Sequence, residues 1–240
     1  MSLDPKFDMN LAPPDLKELS EKLASGKETL QLQAIPEFMR CGDAGIEQLI
    51  DFLRQRQAAN IEVSYIDGKA YQTLIQADSS KASALLQTHY PNGLLPIQSE
   101  SGVDFEPLQT MLAKQDFQAA DRITSEKMRE LAGSAAVERG WLYFTDVNLI
   151  SDDDLKILNN LWQVYSEGKF GFSVQRKIWL SLGKNWEKLW LQIGWKKDGS
   201  FTRYPDAFTW NLSAPKGHLP LSNQIRGNKT MQMIFGRKVW

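Results

Sequence analysis

The stretch Ser151-Asp-Asp-Asp-Leu-Lys-Ile-Leu-Asn-Asn-Leu-Trp-Gln-Val-Tyr165 decides the fold class. Ser151 is a favoured N-cap residue, and three aspartates follow in the first turn, where the helix dipole stabilises negative charge. Leu155, Leu158, Trp162 and Tyr165 then recur every three or four residues, which predicts a helix with one apolar face. The same period continues on both sides. Downstream, Gly168-Lys-Phe-Gly-Phe172 reads as a turn carrying two aromatics, followed by short helices near 173–182 (Val174, Ile178) and 185–193 (Trp186, Leu189, Trp190). Upstream, Ala120, Ile123, Met128 and Leu131 predict a helix over about 117–131 that Gly133 ends, and Phe105, Leu108 and Leu112 predict another before it. From Gly194 to Leu221, glycine, proline and polar residues punctuate the chain. This reads as a long ordered loop held by aromatics, and such loops often carry function.

The first 97 residues have the same character. Asp15 stands three residues before Glu18, at capping-box spacing, and Leu16, Leu19 and Leu23 follow until Gly26. Pro36 should kink or break a helix over 28–40. Ile46, Leu49, Ile50 and Leu53 form an i, i+3, i+4, i+7 stripe, and shorter helices are expected near 68–77 and 80–89. The expected fold is all-α: an N-terminal antiparallel helical bundle, or a helical-repeat-like unit, over 1–97, then a helical core domain with long ordered loops over 98–240. The boundary is placed near 97 because Tyr90-Pro-Asn-Gly93, Pro96 and the polar stretch 98–104 interrupt the pattern.

The net charge of −1 conceals an asymmetry. Residues 168–240 carry 13 Lys and Arg against 3 Asp and Glu, whereas residues 1–167 carry 15 against 26. All 8 tryptophans follow residue 140. A basic, aromatic C-terminal segment suits a flat, anionic, partly apolar ligand; a solvated basic face over a Trp-rich core would have the same composition. One cysteine and two distant histidines, His89 and His218, cannot make the usual zinc clusters. Phosphate-loop, dinucleotide, nucleophile-elbow and zincin motifs are absent. No catalytic residue and no metal site is therefore assigned, and no cofactor is required. His218, in a Gly-His-Leu-Pro turn, is read as turn packing in preference to ligation of a metalloporphyrin. No apolar run approaches a membrane span, and the opening Met-Ser-Leu-Asp-Pro-Lys-Phe lacks the apolar region of a secretory signal.

Residues 98–226 resemble the genomes-uncoupled-four family of porphyrin-binding activators of magnesium chelatase. The resemblance rests on Gln98-Ser through Val103-Asp104, Asp116-Phe117 through Ala120-Asp121, and Trp141-Leu-Tyr-Phe-Thr145. It continues in Gly168-Lys-Phe-Gly-Phe-Ser-Val-Gln-Arg-Lys-Ile-Trp179, Ile193-Gly-Trp195 and Phe208-Thr-Trp210. It ends with Leu212 through Pro220 and Asn223-Gln-Ile-Arg-Gly227. The first 95 residues match less specifically but are similar in layout to cyanobacterial members. The resemblance implies a helical core with a concave apolar surface, overhung by loops near 195–210 and 212–226. It implies a pocket including Phe144, Val147, Arg203, Phe208, Asn223 and Arg226. Tyr204 falls where many members carry tryptophan, keeping a flat but smaller ring. It further implies protoporphyrin IX or magnesium-protoporphyrin IX as ligand and the large porphyrin-binding subunit of magnesium chelatase as partner. The setting it implies is chlorophyll biosynthesis in a photosynthetic, cyanobacterial context, with a monomer in the cytoplasm, peripheral at photosynthetic membranes.

The residues accord with that expectation. A porphyrin needs aromatic walls and cations beside its propionates. Covering roughly 200 Å² of macrocycle would contribute about 5 kcal/mol, part of which association and loop ordering take back, so micromolar affinity is expected. A single-stranded nucleic-acid module, or a scaffold, would use the same basic aromatic surface. Recognisable RNA-recognition, KH and zinc-finger signatures are absent, and the tryptophans of 155–195 fall at helical spacing.

Overall fold

The computed structural model describes residues 14–222 and 228–240. Among them are twelve α-helices, two short 3-10 turns and one two-stranded hairpin, so the all-α expectation holds. Asp15 caps α1 (Leu16–Ala24) by accepting the Lys17 N–H. Pro36 closes α2 (Glu28–Glu37), after which the chain tightens into the 3-10 turn Phe38–Cys41, the break that its missing N–H dictates. Gly42 opens α3 (Asp43–Ala58), whose Ile46, Leu49, Ile50 and Leu53 are buried as their spacing required.

Helix α4 (Tyr65–Gln76) begins three residues earlier than its apolar pattern. Ser64 is the reason: its hydroxyl accepts the Ile66 N–H, and the Asp67 carboxylate accepts the Ser64 N–H in a capping box. Arg56 then pairs with buried Asp67. Helix α5 (Ser80–His89) completes the N-terminal set.

Helix α4 also packs against the C-terminal half, where α6 (Glu106–Ala113), α7 (Phe117–Leu131), α8 (Ser134–Arg139) and α9 (Asp152–Val164) follow. The Gln72 side-chain amide donates to the carbonyls of Leu112 (3.0 Å) and Tyr165 (2.9 Å), both beyond residue 97. Lys69 pairs with Glu167 at 2.8 Å. Gln109 bridges the connecting segment by donating to the Asn92 carbonyl and accepting the Leu95 N–H and the Tyr165 hydroxyl. Ser99 and Ser101 donate to Asp154 at the start of α9. The apolar core runs without interruption through both halves.

Helices α10 (Phe172–Ser181), α11 (Trp186–Gln192) and α12 (Lys229–Gly236) complete the fold. Three elements depart from the sequence reading. The expected 194–221 loop contains the hairpin β1 (Lys196–Lys197) and β2 (Ser200–Phe201), whose strands are too short to show alternation. Helix α8, only six residues long, carries too little pattern to be read. Helix α12 lay beyond the last expected element; its Met231, Ile234 and Phe235 bury one face.

Candidate functional site

Helix α7 forms one wall of a cavity in the C-terminal half. Asp116 caps it by accepting the Ala119 N–H. Its inner side is pinned by Trp162 of α9, whose indole N–H donates to Thr124 at 3.0 Å while Phe117 stacks on the same indole at 6.0 Å. The outer side then presents Asp121, Ser125, Met128 and Arg129 at helical spacing.

The opposite wall is a pair of clasped segments. The turn 168–172 holds the segment 212–220 through main-chain bonds: Gly171 N–H to the Leu219 carbonyl and Gly217 N–H to the Lys169 carbonyl, both 2.9 Å. The Gln175 amide of α10 donates to the carbonyls of Gly217 (3.0 Å) and Pro220 (2.8 Å). Gly217 lies at φ +81°, and a Cβ there would come within 2.8 Å of Ile178, so only glycine fits without displacement. The clasp delivers Leu221 to α7, where its N–H donates to Asp121 at 2.6 Å.

A third segment, 202–210, closes over this frame. Thr202 ties its start to the carbonyls of Trp195 and Gly194. Trp210 donates to the Pro205 carbonyl at 3.0 Å, and the rings of Tyr204, Phe208 and Trp210 meet at 5.9–6.3 Å. His218 supports Phe208 from beneath at 5.3 Å. Its Nδ1 lies 2.6 Å from the Ile193 carbonyl and so carries the proton, leaving Nε2 to accept the Thr209 N–H at 3.3 Å. Burial holds its pKa below the ordinary histidine value. Both nitrogens are engaged in this neutral, structural role, as the turn-packing reading expected.

The resulting cavity has a volume of about 390 Å³, within the range of small-molecule sites. Met128, Leu142, Phe172, Phe208, Leu221 and Ile234 supply apolar surface, and Arg122 and Arg129 bring guanidinium groups to it. Arg122 is exposed and pairs with Glu126 one turn on. Beside the mouth, Arg139 lies over the rings of Trp141 (4.9 Å) and Tyr143 (4.4 Å) and pairs with Asp146, which stiffens the 141–146 segment. Asp121 is buried in the wall, and desolvation pushes its carboxyl up to about 7 against the lowering effect of the Leu221 hydrogen bond.

Of the expected site residues, Tyr204 and Phe208 line this cavity. Tyr204 is 54% exposed, whereas Phe208 is 6% exposed. Val147 is fully buried in the 3-10 turn Phe144–Leu149, where its carbonyl accepts from Arg237. Phe144 is exposed on the same turn, with the Lys229 ammonium 5.2 Å from its ring centre. Arg203 is exposed beside Tyr204. Asn223 and Arg226 lie outside the described residues. The α7 contributors Asp121, Ser125 and Arg129, and Thr230 of α12, were not expected. Asp121 was the legible one, since it is an acid inside an apolar helical stripe.

Among the described residues, no group of three His, Cys, Asp or Glu side chains is placed to hold a metal ion, and no helix is long and apolar enough to cross a membrane. Fold and cavity together define a class: an all-helical protein that presents an apolar, guanidinium-bearing pocket beneath two aromatic-anchored segments. Residues 98–238 match the GUN4-like family model, and residues 9–91 match the model described as the ARM-like repeat domain, GUN4-N terminal. The chain belongs to the GUN4-like family. It is similar to a Ycf53-like protein of Synechocystis, 45% identical over 226 residues covering 94% of this chain and 97% of that one. A protein of Arabidopsis thaliana named as a chloroplastic tetrapyrrole-binding protein is 37% identical over 145 residues, 57% of this chain and 55% of that one. The solved structure of GUN4 from Chlamydomonas reinhardtii superposes with a TM-score of 0.57 at 38% identity, covering 60% of this chain and 93% of its own. Ligand-free Arabidopsis thaliana GUN4 gives 0.53 at 37% identity, covering 57% and 97%.

Proposed function

We propose that this protein binds protoporphyrin IX or magnesium-protoporphyrin IX in the α7–α10–α12 cavity and, so loaded, stimulates magnesium chelatase in chlorophyll biosynthesis. The observation that carries the reading is the cavity: largely apolar walls around about 390 Å³, with Arg129 and Arg122 in its lining. The name of the Arabidopsis relative, a tetrapyrrole-binding protein, supports the ligand class. In this reading the protein is a monomeric, non-catalytic carrier, and residues 98–240 form the binding unit while 1–97 are accessory. It acts in the cytoplasm, peripheral to photosynthetic membranes, on the large porphyrin-binding subunit of the chelatase.

Several tryptophans are unsuited to base stacking, which weighs against the nucleic-acid alternative: Trp162 and Trp195 are wholly buried and Trp190 nearly so. Porphyrin titration followed by tryptophan quenching tests the proposal, because Trp141 borders the cavity. Saturable quenching with a Kd in about the micromolar range is expected, as is a rise in chelatase activity when the protein is added. Absence of saturable quenching, or insertion of magnesium into porphyrin by this protein alone, overturns it.

A further inference from the structure

Two walls of the cavity meet across one polar contact. Asp121 of α7 accepts the Leu221 N–H at 2.6 Å, and Leu221 and Ser222 both line the cavity. Among the described residues no other hydrogen bond joins α7 to the segment 212–222. Each partner is fixed from behind. Trp162 and Phe117 pin α7 to the core, and Gly171, Gly217 and Gln175 bind 212–220 to the side of α10. The two walls therefore part most easily at Leu221, where the segment leaves α10 and reaches α7. The group at that crossing is a carboxyl only 3% exposed. Two other acids are as deeply buried but well supported: Asp67 by the Arg56 guanidinium and Ser64, Asp154 by the hydroxyls of Ser99, Ser101 and Ser151. Among the described residues Asp121 has no ion pair. Arg122 is turned to Glu126, and Arg129 sits two turns along the helix, ~12 Å away in axial rise. An unpaired carboxylate buried in this way gains by reaching water.

We infer that Asp121 is a proton-operated latch on the cavity. Protonated, it holds Leu221 against α7; ionised, it takes up water and that edge of the cavity parts. Ligand then enters and leaves faster as the pH rises through neutrality. For the identity of that ligand the inference rests on the porphyrin reading above. Two effects compete at the latch. The Leu221 N–H favours the charged carboxylate, whereas burial disfavours it, and burial wins, since the carboxyl is pushed up to about 7. Once the edge parts, the hydrated carboxyl titrates near its ordinary value, about 4. The closed form thus holds the proton more tightly than the parted form. Below about pH 7 the balance between them is level; above it, each pH unit favours the parted form by up to about tenfold. The other groups at this place do not titrate in that window. Arg122 and Arg129 carry fixed charge, and burial raises the Tyr204 phenol above its ordinary 10. The Lys229 ammonium, next to Thr230 of the lining, lies over Phe144, and Leu221, Ser222, Phe172 and Ile234 carry no charge.

The test is the rate at which magnesium-protoporphyrin leaves the full-length protein on rapid dilution, read by the return of tryptophan fluorescence. Asparagine keeps the accepting carbonyl and cannot ionise, so D121N is the comparison. In wild type the rate should be level between about pH 6 and pH 6.5 and rise by up to about tenfold between about pH 7 and pH 8. In D121N it should stay within about twofold over the same range. Amide hydrogen exchange of the ligand-free wild type reads the same event without porphyrin, and replaces the comparison should D121N fail to fold. Corrected for intrinsic exchange, protection of the Leu221 amide should fall by up to about tenfold per pH unit above about 7. The amides of Gly171 and Gly217, which close the clasp on its other side, should keep theirs. A level release rate in wild type, or the same rise in both proteins, overturns the latch. Equal loss of protection at Gly171, Gly217 and Leu221 overturns it as well, because the clasp then opens as a whole. Failure of wild type to bind the porphyrin overturns the porphyrin reading instead, and the exchange experiment still decides the latch.

Discussion

Phe208→Ala separates a cavity wall from a core residue, because Phe208 has a share in both. Its ring lies against Tyr204 at 6.3 Å, Trp210 at 5.9 Å and His218 at 5.3 Å, and only 6% of the residue is exposed. Truncating a buried phenylalanine costs about 3–5 kcal/mol. Phe208 already lines an open cavity, so the low end applies, about 3 kcal/mol. At about 2–4 °C per kcal/mol for a chain of this size, the melting temperature should fall by about 6–12 °C. The apolar packing of this ring on a bound porphyrin is worth about 1–3 kcal/mol, or roughly 5- to 150-fold in Kd, and should be indifferent to salt. The assay is porphyrin titration well below the variant's melting temperature, with circular dichroism fixing the folded fraction. Phe208→Leu, which keeps most of the volume, should lose less on both counts. A destabilised Phe208→Ala protein with unchanged affinity per folded molecule would refute the argument. Phe208 would then be core alone, and the macrocycle would lie elsewhere.

Arg129→Ala and Arg226→Ala should each weaken porphyrin binding by about 0.5–2 kcal/mol at low salt, with the loss shrinking toward physiological ionic strength; no change at low salt removes that residue from the propionate contacts. Asp121 has a folded pKa of about 7, above its unfolded value, so the fold prefers its protonated form. Its contribution is fully present below the unfolded pKa and lost as pH rises through about 7. Asp121→Asn should therefore flatten the decline in melting temperature between about pH 5 and pH 8, and an unaltered slope would contradict this. His218 acts in the opposite sense: its pKa is lowered by burial, so the stability of its neutral form is lost as pH falls below the ordinary histidine value. A fragment of residues 98–240 should melt lower than the whole chain, because it lacks the Gln72 hydrogen bonds and the Lys69 ion pair. It should nevertheless bind porphyrin within about threefold, or ~0.6 kcal/mol, of the whole chain; a hundredfold loss would mean that α1–α5 help to shape the cavity.

Local and periodic information was legible in the chain. The Ser151 cap and the Leu155–Leu158–Trp162 stripe specified α9, and the Ile46–Leu53 stripe specified α3, because a helix writes its buried face at fixed short intervals. Pro36 announced its own break. Tyr204 and Phe208 could be named only through the family resemblance; by residue type alone Phe208 reads equally well as core. The remainder depended on packing between residues far apart. No spacing rule joins Asp121 to Leu221, a hundred residues on, or Gln72 to Tyr165. Val147 and Phe144 stand three residues apart in the sequence, yet one is core and the other surface, a difference that only the packing around the 144–149 turn decides. The cavity exists only where α7, the clasped segment 212–222 and α12 converge, and its shape and its buried acid are properties of that convergence. Sequence patterning specifies which face of each element avoids water; which faces meet, and which polar group is left between them, is decided by tertiary packing.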